Sequence, residues 1–124
     1  MKTKLTFLLS LTFLFLFSGS VYGEEPEVKK EYWKNGKLKS ETHYKDGKKV
    51  GLETYWYESG LKRHETRWKK WLQEGLETRW YKNGGKQHEK TWKNGKQDGI
   101  RKEWDEDGKL TFQGNFVEGV EEIK

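Results

Sequence analysis

Three glutamates, Glu41, Glu65 and Glu89, recur 24 residues apart, and His64 and His88 keep the same step. Paired carboxylates do general acid–base work, and glycoside hydrolysis wants two of them ~5–9.5 Å apart across a pocket. Histidines with carboxylate help can hold zinc. Neither chemistry suits this spacing. Neighbouring strands lie ~4.8 Å apart, so one two-stranded repeat sets equivalent residues ~10 Å apart, too far for His64 and His88 to share one metal. His43 falls in a different column, and the chain has no cysteine. No nucleophile elbow, phosphate-binding loop or dinucleotide fingerprint occurs. Evenly spaced glutamates among lysines read instead as a solvated face, whose cross-strand pairs contribute only ~0.2–1 kcal/mol each. We therefore expect no enzyme, no metal and no cofactor. Binding is the chemistry that remains. Trp33, Tyr57, Tyr81 and Trp71 are interleaved with lysines and with Arg63 and Arg67, and aromatics and arginine are the usual anchors of protein interfaces.

The elements that must carry these side chains follow from one phrase said four times. Gly36, Gly60, Gly84 and Gly108 are spaced by 24 residues, as are Gly51, Gly75 and Gly99. Tyr32, Trp56, Trp80 and Trp104 form one aromatic column, Tyr44, Trp68, Trp92 and Phe116 a second, and Val28, Leu52, Leu76 and Ile100 an apolar one. Columns in a common register mark a repeat protein. Along residues 52–57, Leu52, Thr54 and Trp56 share one face and Glu53, Tyr55 and Tyr57 the other, which is strand period. Glycine every dozen residues forbids long helices.

Each repeat thus reads as one β-hairpin, and the hairpins add into an elongated, all-β antiparallel sheet. Asn35 and Gly36 predict a tight hairpin turn with φ > 0 at both residues. The pair Gly47 and Gly51, with Gly95 and Gly99, predicts a turn followed by a bulge. Trp71 stands where other copies have Gly47 and Gly95, so its turn should not share their positive-φ geometry. Tyr32, Trp56, Trp80 and Trp104 are expected to be the core row, because they share a face with Leu52, Leu76 and Ile100. The neighbouring row of Trp33, Tyr57 and Tyr81, which ends at Asp105, is expected to be the exposed one.

The aromatic pair, two residues, Gly, seven residues, aromatic, two residues, Gly, three residues, Gly of this phrase resembles the bacterial variant of the MORN repeat over nearly all of residues 28–121. The resemblance implies an antiparallel hairpin array that binds or scaffolds. Many bacterial chains of this type are grouped as antitoxin-like, which would imply a protein partner.

Residues 1–23 read as a signal peptide. Lys2 and Lys4 precede an apolar run over residues 5–17, too short for a comfortable membrane span, and small residues follow. A cleaved signal implies a periplasmic, cell-envelope or secreted protein; an uncleaved anchor is the alternative. Export fits poorly with a cytoplasmic antitoxin, so the family name carries over and that role does not. Residues 24–30 read as a linker or first edge, 31–121 as the repeat domain and 122–124 as a tail. Residues 24–102 hold 21 Lys/Arg against 13 Asp/Glu, a balance of +8, and residues 103–124 hold 2 against 7, a balance of −5. The basic body and rings suit a protein partner first. An anionic polysaccharide or lipid headgroup surface is the alternative, and nucleic acid fits poorly with export.

Overall fold

Alternating side chains between evenly spaced glycines leave the chain one economical solution, a meander. The computed structural model describes residues 23–123, so the signal expectation lies almost wholly outside the described residues. Ten strands form: β1 (Glu27–Tyr32), β2 (Leu38–Lys45), β3 (Lys48–Trp56), β4 (Lys62–Lys69), β5 (Leu72–Gln73), β6 (Gly75–Trp80), β7 (Lys86–Lys93), β8 (Lys96–Trp104), β9 (Leu110–Val117) and β10 (Val120–Glu121). They make a single antiparallel sheet in chain order, with β5 beside β4. The fold is therefore the expected all-β elongated sheet of tandem hairpins. β5 and β6 together occupy the place that β3 and β8 fill in other repeats. From Glu27 the lead-in is strand β1, at the edge of the sheet.

Two kinds of turn alternate, and they differ from the expected assignment. At Asn35 and Gly36 only the glycine has positive φ, 82°. The Gly36 N–H donates to the Trp33 carbonyl at 2.9 Å and the Trp33 N–H to the Lys37 carbonyl at 2.8 Å, so the loop is longer than two residues, a type I turn closed by a left-handed glycine. The tight turns with both residues at positive φ lie at the other end of the sheet, at Asp46 and Gly47 (51° and 73°), Asn94 and Gly95 (50° and 79°), and Glu118 and Gly119 (52° and 86°). Lys70 and Trp71 take the same geometry, at 47° and 69°, contrary to expectation. Strand pairing on both sides of this hairpin imposes the turn type on whatever residues occupy it. The expected bulges are present: register shifts lie opposite Gly51 and Gly99.

The expected aromatic core is not what forms. A one-layer sheet has no second layer to seal an apolar row, and no hydrophobic residue is fully buried among the described residues. Tyr32 is 60% exposed, Leu76 53% and Ile100 45%, although all three were expected on the core face. The buried residues are Ser40, Thr42, Glu53, Thr54, Thr66, Glu77 and Thr78, all on β2, β3, β4 and β6.

The row of Trp33, Tyr57 and Tyr81 stitches repeats together and is half-buried rather than exposed. The Tyr57 hydroxyl donates to the Trp80 carbonyl at 2.6 Å, the Tyr81 hydroxyl to the Trp104 carbonyl at 2.9 Å, and Trp33 Nε1–H to the Trp56 carbonyl at 3.3 Å. Each bond joins a ring to the strand end 23 residues on. Asp105 breaks the row in the last repeat, where its carboxylate instead accepts from the Asp107 and Lys109 N–H groups and shapes its own turn.

Candidate binding face

Alternation along β3 puts Glu53 and Tyr55 on one face, and register carries that face across the sheet. Glu53 stands opposite Thr66, Tyr55 opposite His64, His64 opposite Arg79, and Arg79 opposite His88. Leu52 and Thr54 point the other way, opposite Arg67 and Glu65.

Two buried glutamates organise this face. Glu53, 2% exposed, accepts from Lys49 Nζ at 2.7 Å, the Tyr55 hydroxyl at 2.8 Å and Trp68 Nε1–H at 2.8 Å. Glu77, 4% exposed, accepts from Trp92 Nε1–H at 2.7 Å and faces the Nε2 atoms of His64 and His88 at 3.1 and 3.4 Å. Burial alone pushes both carboxyls up, but the donors prevail. Those from Lys49, Tyr55 and Trp68 leave Glu53 below the ordinary carboxylate value. Those from His64, His88 and Trp92 hold Glu77 well below it. Burial and the Glu53 charge push the Tyr55 phenol up to about 12.

A pairing rule runs through the repeats. The ring columns Tyr44, Trp68, Trp92 and Phe116 face Lys29, Glu53, Glu77 and Arg101, each 15 residues earlier. Where the ring is tryptophan, its N–H meets a carboxylate. Where it is not, a cation lies over the ring: Lys29 Nζ is 4.8 Å from the Tyr44 centroid, and the Arg101 guanidinium 5.9 Å from that of Phe116. An indole N–H needs an acceptor, whereas a bare π face attracts positive charge.

Between these rows runs an open groove of about 590 Å³, lined in part by Tyr55, Tyr57, Arg63, Trp68 and Arg79. A second hollow of about 410 Å³ continues it past Arg79 to Tyr81, His88 and Trp104. The Arg63 guanidinium rests 5.5 Å from the Tyr55 ring centroid and makes no ion pair among the described residues. Arg79 is exposed, and its Nε lies 3.8 Å from Glu77. Arg63 is therefore open to an incoming carboxylate, which arginine meets with two parallel hydrogen bonds, while Arg79 is exposed but shared with Glu77.

Of the six residues singled out from sequence, Tyr57 and Arg63 line the main groove and Tyr81 lines its extension. Trp33 belongs to the same row in the first repeat. Arg67 lies on the opposite face, across from Leu52. Trp71 sits on a turn at the sheet margin, 49% exposed, with Lys48 Nζ 3.7 Å from its ring centroid. A non-glycine residue at positive φ costs ~1–2 kcal/mol, more than an exposed cation–π contact of ~0.5–1 kcal/mol returns. Trp71→Gly is thus expected to raise stability by roughly 0.5–1 kcal/mol in urea denaturation. Sequence reasoning missed Glu53, Glu77, Tyr55 and Arg79; the signal was the 15-residue offset between a charge column and a ring column.

The column of Glu41, Glu65 and Glu89, expected to be a solvated face, is half-buried, its side chains 21–29% exposed, and each pairs with a lysine. Glu41 meets Lys30 at 3.2 Å, Glu65 meets Lys62, and Glu89 meets Lys86. The repeat spacing of ~10 Å misjudged the side chains, because His64 and His88 both reach Glu77 Oε1, at 3.1 and 3.4 Å, and no group of three potential metal ligands occurs among the described residues.

A one-layer sheet of 24-residue hairpins, stitched ring to carbonyl, defines a repeat-built scaffold. The MORN repeat variant matches residues 28–46, 73–94 and 97–118, and the chain belongs to that family. No curated protein and no solved structure matches it.

Proposed function

We propose that this chain is an exported, non-catalytic binding module that holds an acidic segment of a protein partner in the groove between Tyr55, Tyr57, Arg63 and Arg79. The observation that carries this reading is the groove's division of labour. Its carboxylates, Glu53 and Glu77, are buried and saturated by internal donors, while its guanidinium groups face outward. A ligand in the main groove therefore meets rings and positive charge, and the further carboxylates Glu103 and Asp105 line only its extension. The basic balance of residues 24–102 adds long-range attraction for an acidic partner. Export rests on the positive, apolar and small-residue pattern of residues 1–23.

Crosslinking capture from the native envelope, at low and high salt, tests the reading. We expect one protein, retained at high salt, whose capture falls at least about tenfold in Arg63→Glu/Arg79→Glu, as for anchors at an interface centre. Capture that collapses with salt and follows an anionic polysaccharide or lipid would replace the protein partner with a polymer surface. Capture indifferent to both substitutions would remove the groove from the interface.

A further inference from the structure

We propose that this chain binds a second copy of itself head to tail, with β1 of one copy completing the strand that β10 begins in the other. In the internal repeats one strand runs unbroken through positions 48–56 and 96–104, and β5 and β6 share the equivalent positions 72–80. β10 holds the positions equivalent to Leu72 and Gln73, and β1 those equivalent to residues 75–80. The two ends of the sheet are thus the complementary halves of one strand. The two ends overlap by sequence position, since Ile123 and Lys124 are equivalent to Glu27 and Val28, so the C-terminal tail must turn out of the ladder for β1 to enter. Pro26, at the position equivalent to Glu122, has no N–H for a ladder, and β1 starts directly after it.

The receiving edge has the right length. Val120 pairs with Val117, Glu121 with Phe116, and the Glu122 N–H donates to the Asn115 carbonyl at 2.8 Å. Residues 110–114 of β9 pair with β8 on one side and with no strand on the other, among the described residues. The register of β7 with β8 sets His88 against Glu103, Glu89 against Lys102 and Lys90 against Arg101. Carried to the seam, it sets Phe112 against Glu31, Gln113 against Lys30, and Gly114 against Lys29 of the next copy.

Charge fits the same register. Within β3, Lys49 and Glu53 form an ion pair at 2.7 Å. Their equivalents across the seam are Glu121 and the next copy's Lys29, the same pair with signs exchanged. Along the turn ridge the column reads Lys34, Glu58, Lys82, Glu106, so a following Lys34 continues the alternation. Asp105 offers no donor in place of Tyr57 or Tyr81, so the seam lacks the ring-to-carbonyl bond. Strand pairing and charge hold it, and salt weakens it. A head-to-tail contact leaves a fresh edge at each end, so it builds open filaments rather than closed dimers.

The chain's lack of cysteine permits a direct test. Oxidised full chain carrying Lys30→Cys/Gln113→Cys is expected to give a ladder of disulfide-linked oligomers. Lys30→Cys/Phe112→Cys, with its thiols on opposite faces, is expected to give little, and Lys30→Cys alone none beyond background. Sedimentation of the unmodified chain should show mass rising with concentration at low salt. Glu106→Lys should weaken association about tenfold by setting like charges together, and adding Lys34→Glu should restore it. A monomer at all concentrations, equal ladders from both pairs, or dimers from Lys30→Cys alone would overturn the proposal.

Discussion

Glu77→Ala is expected to destabilise the sheet by about 3 kcal/mol, the order of loss seen when one partner of a buried charged pair is removed. The substitution strips the acceptor from Trp92 Nε1–H and from His64 and His88 at once. Glu77→Gln keeps the shape but not the charge, and its amide presents N–H to one of those donors, so it should lose less. Acid separates the two effects. The carboxyl of Glu77 is held below its ordinary value of 4.5 by His64, His88 and Trp92, with Arg79 and Lys90 also on its face. A depressed folded-state value means that the stabilisation is fully present above the unfolded value, near pH 4.5, and is lost as pH falls below it. Urea midpoints of the unmodified chain should therefore drop between pH 5 and 3 by more than those of Glu77→Gln. Parallel drops would show that Glu77 is not the group that acid attacks.

Trp68→Ala should cost about 3 kcal/mol and Trp68→Phe roughly 1.5 kcal/mol. The alanine loses the ring between Lys49 and Glu53. The phenylalanine keeps a ring under Lys49 Nζ, 5.1 Å from the tryptophan centroid, but removes the 2.8 Å bond to Glu53. The converse substitution checks the pairing rule. Phe116→Trp faces Arg101, which has no acceptor for an indole N–H, and should not stabilise the last repeat; Arg101→Glu added to it should recover stability. Thermal unfolding of these four variants measures the rule directly. A gain from Phe116→Trp alone would sink it.

Strand positions, their order and the repeat boundaries were legible because they depend on neighbours along the chain. Alternation at residues 52–57 and the recurring glycines speak for β-hairpins without any tertiary information. The family resemblance pointed the same way. The groove was half legible. Tyr57 and Arg63 were singled out by type and spacing, but Glu53 and Glu77 were not. Their donors come from other strands, so only a register can bring them together. Turn chemistry misled in two places. Asn35 and Gly36 suit a two-residue turn, yet the number of residues between ladder partners selects the longer loop. Trp71 resists positive φ, yet its hairpin leaves no alternative.

From its residues alone, this chain is committed to 24-residue hairpins laid side by side, because steric preference and alternation act within a few residues. The tertiary structure decided what is buried. In a sheet one layer thick, apolar rings cannot leave water completely, and depth belongs to short polar side chains and carboxylates ringed by donors on adjacent strands. That arrangement depends on which strands meet and in what register, and no single column of the repeat contains it.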